Sequence, residues 1–392
     1  MIYNNLSKRA KVKKTPPSFN FHFMKGAFLE VKSQDETEFE VNFFNHKTNE
    51  LVYTTILKGG MWSAPSIKYF IKWRIEIFEK HTRKKVFEHI YNCKDKRVYI
   101  ALGSKSLGDT LAWIPYIDEF RKLHGCKVIC STFHNDWLSP EYPEIEFVKP
   151  GRVVPNLYAL YEIGWYYNEE GDIDSNMNPK DFKQYPLQQT PCHILSLPYK
   201  EIKPKIYVKR EDAKYKKPYV IIAPHGSKHA SYWHYPKGWQ RVINFLNKHG
   251  YKAMMVTKEP LGDDWNDSKL GGTLTNVIDK TGDFPLQQRF TDIKNAKAFV
   301  GIGSGLSWVS WALNTPTILI SGFSDPNSEM QDCYRIPAPP DVCSGCYNTQ
   351  KLDAGDWEWC PFHKNTPRQF ECGKNIHPEE VINNLKKILN IY

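Results

Sequence analysis

Between residues 26 and 92 the chain alternates apolar and polar positions with a period of two. "EFEVNFF" and "ELVYTTIL" are β-branched and aromatic runs joined by "NHKTN", a turn composition that reads as a hairpin. "KYFIKWRIEIFE" and "KKVFEHIY" repeat the pattern across "KHTR". Such alternation leaves one wet face, so a small β-rich barrel or sandwich is expected over residues 21–95. Packing, acceptor binding and subunit contacts all remain open as its role.

At Arg97 the period changes. "RVYIAL" is a short apolar strand and "GSKSLGD" a glycine-serine loop. "TLAWIPYIDEFRKLHG" has helical spacing and a glycine stop, and "KVICST" is the next strand. Strand, loop, helix and strand in that order make a βαβ unit, which implies a parallel sheet. "IEFV", "LYALYEIGWYY" and "HILSLPY" extend it, so a first Rossmann-like domain is expected over 96–212. A second is expected over 213–335. "PYVIIAPHGS" is a strand running into a polar loop, and "PKGWQRVINFLNKHG" is a helix with Pro near its start and Gly after its end. "YKAMMVT", "LQQRFTDIKNA", "KAFVGIG", "SGLSWVSWALN" and "PTILISGF" then alternate strand with helix. "HPEEVINNLKKILN", within 376–392, reads as an amphipathic closing helix. Two consecutive domains of this α/β kind predict a cleft between them, a usual place for a small-molecule site.

Composition narrows the class. With 41% hydrophobic and 24% charged residues, the chain of 392 is a well-cored globular protein of two or three domains. No run approaches the ~20 apolar residues of a membrane span. The N-terminus "MIYNNLSKRAKVKKTPP" lacks an apolar export region, so a cytoplasmic protein is expected. Its nine cysteines are then expected as thiols or metal ligands rather than disulfides. The net charge of +10 favours anionic partners, and part of it is local. Lys8, Arg9, Lys11, Lys13 and Lys14 fall within residues 1–20, an expected flexible basic tail. No nucleic-acid motif accompanies it.

Four stretches carry candidate chemistry. In the segment 336–375, Cys343, Cys346, Cys360 and Cys372 give a Cys-x2-Cys pair followed by two further thiols. Such a set can complete a tetrahedral thiolate site for zinc or iron, with His363 as a candidate substitute ligand. Redox chemistry at the pair is the competing reading. Four filled positions leave none for substrate, so the expected role is to staple a segment without its own core. In "GIGSGLSWVSWAL", Gly303 and Gly305 allow close backbone approach, Ser304 and Ser307 add hydroxyls, and Leu306 lies in the first helical turn. The amides and dipole of that helix start favour a phosphate. In "PHGSKHASYWHYPKGW", Lys228 is the candidate cation, with Tyr232 and Trp233 as flat surfaces beside it. Asp109 sits where the first strand turns into its helix, as a helix cap or as a general base. Asp172 and Asp174 in "DID" are similar to a metal-holding sugar-transferase motif, but "EEGDIDSN" reads as a solvated acidic loop.

In this order, "GSKSLGDTLAWIPY", "PHGSKHASYWHYPKGW", "GIGSGLSWVSWAL" and "CSGC" with two later cysteines resemble the autotransporter heptosyltransferases. The resemblance spans about residues 20–390. It implies a glycosyltransferase-B fold, α/β with two facing Rossmann-like domains behind a β-rich domain. It implies ADP-D-glycero-β-D-manno-heptose as donor and serine hydroxyls of autotransporter passenger repeats as acceptors, with transfer in the cytoplasm. It further implies iron (Fe3+) on the four cysteines, with zinc as a possible substitute, and a dodecameric ring. Asp109 matches the family's catalytic aspartate; Lys228 and the Gly303–Ser307 loop match its diphosphate contacts. Lipopolysaccharide core heptosyltransferases share the second and third motifs but lack the cysteine cluster and the β domain. A redox or metal-sensing protein and a non-catalytic scaffold are the alternatives from other classes.

Overall fold

The strands Tyr219–Ala223, Ala298–Ile302 and Thr317–Ser321 are buried at every position, as parallel strands covered on both faces must be. This computed structural model describes residues 16–34, 36–209, 215, 217–351 and 358–392. The three strands join Lys252–Met255, Val277–Asp279 and Tyr334–Pro337 in a six-stranded sheet whose pairings are all parallel. Numbered along the chain, the strands lie in the order 3-2-1-4-5-6. That is the doubly wound order, in which ligands bind where strands 1 and 4 diverge.

The first α/β unit repeats the logic. Arg97–Leu102, Lys127–Ser131, Glu146–Val148 and Ala159–Ile163 pair in parallel, in the local order 3-2-1-4. The sheet does not stop there. Ser18–Met24 pairs parallel to Ala159–Ile163, and Phe28–Lys32 and Trp62–Ser63 follow antiparallel, which makes seven strands.

The N-terminal region is β-rich as expected, and its strands divide between two sheets. Phe39–Asn45, Glu50–Leu57, Trp73–Glu79 and Lys85–Ile90 form a separate four-stranded antiparallel sheet. The hairpin before it belongs to the α/β sheet, because Phe23 and Met24 pair in register with Ala159 and Leu160. Alternation reports a strand's wet and dry faces, not the sheet it joins. The basic residues Lys8–Lys14 lie outside the described residues.

Two helix starts meet between the α/β units. The helix Leu107–His124 is capped by Ser106, whose side chain accepts from Asp109 N–H, and ends at Gly125 with φ of 60°. The helix Gly305–Ala312 leaves the strand Ala298–Ile302 through Gly303 and Ser304. A Cβ on Gly305 would stand 2.8 Å from Leu107 Cβ, and one on Gly108 would stand 3.2 Å from Trp308 Cδ1. Glycine at both positions lets the two units touch at their switch points.

Candidate active site

A cavity of about 580 Å3 opens beside that contact. The first unit contributes Lys105 to Asp109 to its wall, and the second contributes His225 to Lys228 and Gly303 to Leu306. These segments follow strands 1 and 4 of the six-stranded sheet, and strand 1 of the first unit.

Asp109 is the third residue of its helix, and Ser106 rather than Asp109 provides the cap. The carboxylate is thus left for the cavity. Ser104 Oγ donates to Asp109 Oδ2 at 2.6 Å. Burial raises the Asp109 pKa, while hydrogen bonds from Ser104, the charge of Lys228 and Ser106 pull it back. Lys228 faces the same space from the second unit. Burial lowers its pKa to about 8, against the charges of Asp109 and Glu329, which raise it. For both groups desolvation outweighs their mutual attraction. Lys228 Nζ stands 4.7 Å from the ring centre of Tyr347 and 5.7 Å from that of Phe323.

The glycine loop brings backbone and hydroxyl groups to the cavity wall. Ser304 Oγ is buried and makes no hydrogen bond within the described residues, and Ser304 lines the cavity. Ser307 has another task. Its hydroxyl donates to Ser304 O at 2.6 Å and meets Ser304 N at 3.3 Å, so it braces the loop from beneath.

Of the donor-site residues expected from sequence, Lys228, Gly303, Ser304, Gly305 and Leu306 line the cavity; Tyr232, Trp233 and Ser307 do not. Tyr232 is buried, with its hydroxyl donating to Gly226 O at 3.2 Å. Trp233 is 1% exposed, packs edge-on to Trp239 at 5.0 Å and donates Nε1–H to Ile376 O at 2.8 Å. Trp233→Ala is expected to destabilise the fold by about 3–5 kcal/mol through the void it leaves. Thermal melts check this; a loss of ADP affinity at unchanged stability would instead make Trp233 a ligand contact. Asp172 and Asp174 lie away from the cavity in a turn, where Asp174 Oδ1 accepts from Asn176 N.

Sequence reasoning missed several wall residues. Glu259 follows strand 2 of the six-stranded sheet, accepts a hydrogen bond from Thr257 and lines the cavity. That strand end is where dinucleotide folds carry an acid for ribose hydroxyls, a signal available from the element order. Tyr347 was hidden by its place beside Cys346. Glu329 has no local motif at all.

All four expected metal-ligand cysteines are free thiols. Cys346, Cys360 and Cys372 are buried, and Cys343 is half-buried. Burial first, then the neighbouring thiols, push Cys346 and Cys372 up to about 12. Cys343 also lies with His363 and Glu371 in a group whose ligand atoms are within 4.8 Å of one another. Cys343, Cys360 and Cys372 lie near enough to act on the Cys346 thiol, and neighbouring sulfur donors fit a thiophilic metal, since such an ion is what would make several thiolates tolerable there. The segment leans on the loop that follows Lys228. Phe370 stacks on His234 at 4.1 Å, and a Cβ on Gly373 would meet Tyr232 O at 2.7 Å.

Facing Rossmann-like units, with a carboxylate on one wall and a lysine and glycine cradle on the other, define a glycosyltransferase of the GT-B type. Residues 187–330 match the family model for Glycosyltransferase family 9 (heptosyltransferase). The autotransporter heptosyltransferase Aah of Escherichia coli is 34% identical over 88% of this chain and 87% of its own length. The chain belongs to the autotransporter heptosyltransferase family. TibC of enterotoxigenic E. coli H10407, described as a bacterial iron-containing dodecameric glycosyltransferase, superposes with a TM-score of 0.84 at 31% identity, over 96% of this chain and 97% of its own. The same protein is known in complex with ADP-D-beta-D-heptose. The family also holds the inactive autotransporter heptosyltransferase BimC of Burkholderia thailandensis, 30% identical over 83% of this chain and 76% of its own length.

Proposed function

We propose that this chain transfers heptose, with inversion, from ADP-D-glycero-β-D-manno-heptose to serine hydroxyls of autotransporter passenger repeats in the cytoplasm. The observation that carries the reading is the meeting of Asp109, Lys228 and the Gly303–Gly305 loop on one cavity. Asp109 removes the proton of the serine hydroxyl as its oxygen attacks the anomeric carbon. The bond from that carbon to the phosphate oxygen breaks, and the charge develops on the departing ADP. Lys228, the loop amides and Ser304 Oγ hold that charge. Glu259 is placed to bind the ribose hydroxyls. The cysteine segment holds iron (Fe3+) through Cys343, Cys346, Cys360 and Cys372, with zinc as a substitute, and the metal's contribution is to fix the fold of the segment. A dodecameric ring of copies is the expected assembly, by similarity to TibC.

The acceptor is tested by offering ADP-heptose with either a passenger fragment or a lipid A–Kdo acceptor, and reading product by mass. Transfer to the peptide alone supports the reading; transfer to the lipid alone makes the chain a lipopolysaccharide enzyme. The cation is tested by pH. Lys228 is charged below about 8 and loses its proton above it. Diphosphate binding requires the charged form, so ADP affinity is full at pH 7 and falls as pH rises. We expect roughly tenfold weaker binding at pH 9, by the tenfold change per pH unit of a single titrating group. Lys228→Gln should bind weakly at both values; a flat wild-type profile would show that Lys228 does not meet the diphosphate.

A further inference from the structure

Glu329 brings a second carboxylate into the anion loop, from the stretch between the strands Thr317–Ser321 and Tyr334–Pro337. Its side chain is 11% exposed, and so is that of Arg335. Arg335 Nη1 donates to Glu329 Oε2 at 2.8 Å, and Ser324 Oγ donates to Oε1 at 2.7 Å. Arg335 is itself anchored, donating to Ser321 Oγ and to Met330 O, each at 3.0 Å. The carboxylate is therefore aimed by a rigid set of donors.

Gly303 shows what it is aimed at. The backbone there is outside the left-handed region, so its conformation does not demand glycine. Space does. A Cβ at Gly303 would stand 2.7 Å from Glu329 Oε1, closer than real contacts allow. The loop that cradles the diphosphate thus leaves its first position empty, and Glu329 occupies the room. A negative charge so close to a phosphate site is costly unless hydrogen-bond donors face it. Arg335 and Ser324 supply one each, and a carboxylate has about four acceptor positions. Lys228 lies in the field of both Glu329 and Asp109, so the two carboxylates border the same reacting region. The ligand groups that suit an acceptor there are the hydroxyls of the sugar joined to the diphosphate.

We infer that Glu329 accepts hydrogen bonds from the hydroxyls of the transferred sugar and gives the site its preference for a sugar-bearing nucleotide over the bare nucleoside diphosphate. The inference rests on the transferase reading above and names the sugar contact within it. Glu329 holds the sugar and takes no proton in the reaction.

The test is calorimetric titration of wild type, Glu329→Gln and Glu329→Asp with ADP and with ADP-heptose, each with a thermal melt. Glu329→Gln keeps the shape but removes the charge. It should bind ADP within about twofold of wild type and lose about tenfold to a hundredfold of the preference for ADP-heptose, the usual cost of losing hydrogen bonds to a charged group. Glu329→Asp keeps the charge at a shorter reach and should lose part of that preference, which keeps the test open if the Gln variant unfolds. A residue that only braces Arg335 and Ser324 would weaken both ligands together. That result, or an undiminished preference in both variants, overturns the inference. Wild type that binds ADP-heptose no better than ADP also overturns the inference, whereas wild type that binds neither removes the transferase donor reading itself, a failure distinct from that of Glu329.

Discussion

Asp109→Asn should reduce heptose transfer by about 10²–10⁴-fold while ADP binding stays within about twofold. Asparagine keeps the shape and can still accept from the hydroxyl of Ser104, which now lies 2.6 Å from Oδ2. It cannot take a proton. Because Ser106 caps the helix, the substitution leaves that cap in place. Burial raises the Asp109 pKa above the ordinary carboxylate value, so the base sits closer to neutral and is a better proton acceptor. The rate should therefore fall as pH drops through that raised value, with its inflection above that of a solvent-exposed aspartate. Rates by intact mass and affinities by calorimetry check both statements. Near wild-type transfer by the Asn variant would put the base elsewhere.

Cys346→Ser should release the metal, lower the melting temperature by several degrees and weaken ADP binding by up to about tenfold. The first two follow if the metal supplies folding energy to a segment whose buried Cys346, Cys360 and Phe370 pack only in a small cluster shared with Ala230 and Phe323 of the second α/β unit. The third follows from geometry. Tyr347 is the next residue, and its ring centre lies 4.7 Å from Lys228 Nζ. A cation held over an aromatic face is worth about 0.5–2 kcal/mol, which sets the size of the expected loss. Metal content by elemental analysis, melts and ADP titrations report the three effects. A metal-free variant with unchanged melting and ADP affinity would contradict the bracing role. A change in turnover on reduction and oxidation, at constant metal content, would favour the redox reading instead.

The second α/β unit was legible because its central strands are continuous apolar runs punctuated by glycine, and its helices begin and end on recognisable residues. The strands Val277–Asp279 and Tyr334–Pro337 were missed; they are only three and four residues long and lie at the two edges of the sheet. "HILSLPY" contains the end of the helix Gln189–Leu195. Ser18–Met24 could not be assigned to the α/β sheet, because its partner Ala159–Ile163 is far away in sequence. The site shows the same division. Asp109, Lys228 and the glycine loop each follow a strand, where chemistry collects in such folds. Tyr232 and Trp233 stand beside Lys228 in sequence but turn into the core, because large aromatic surface is worth more buried than at a wet cavity. Glu329 and Tyr347 reach the cavity from segments with no phosphate-binding pattern, so only the folded chain reveals them.

The most direct test is intact-mass measurement of a passenger fragment incubated with ADP-heptose and either wild type or Asp109→Asn. The account predicts stepwise gains of heptose mass with wild type, and almost none with the variant over the same time. No gain from wild type that binds the donor would place this chain with the inactive branch of its family. An equal gain from both proteins would show that Asp109 is not the base.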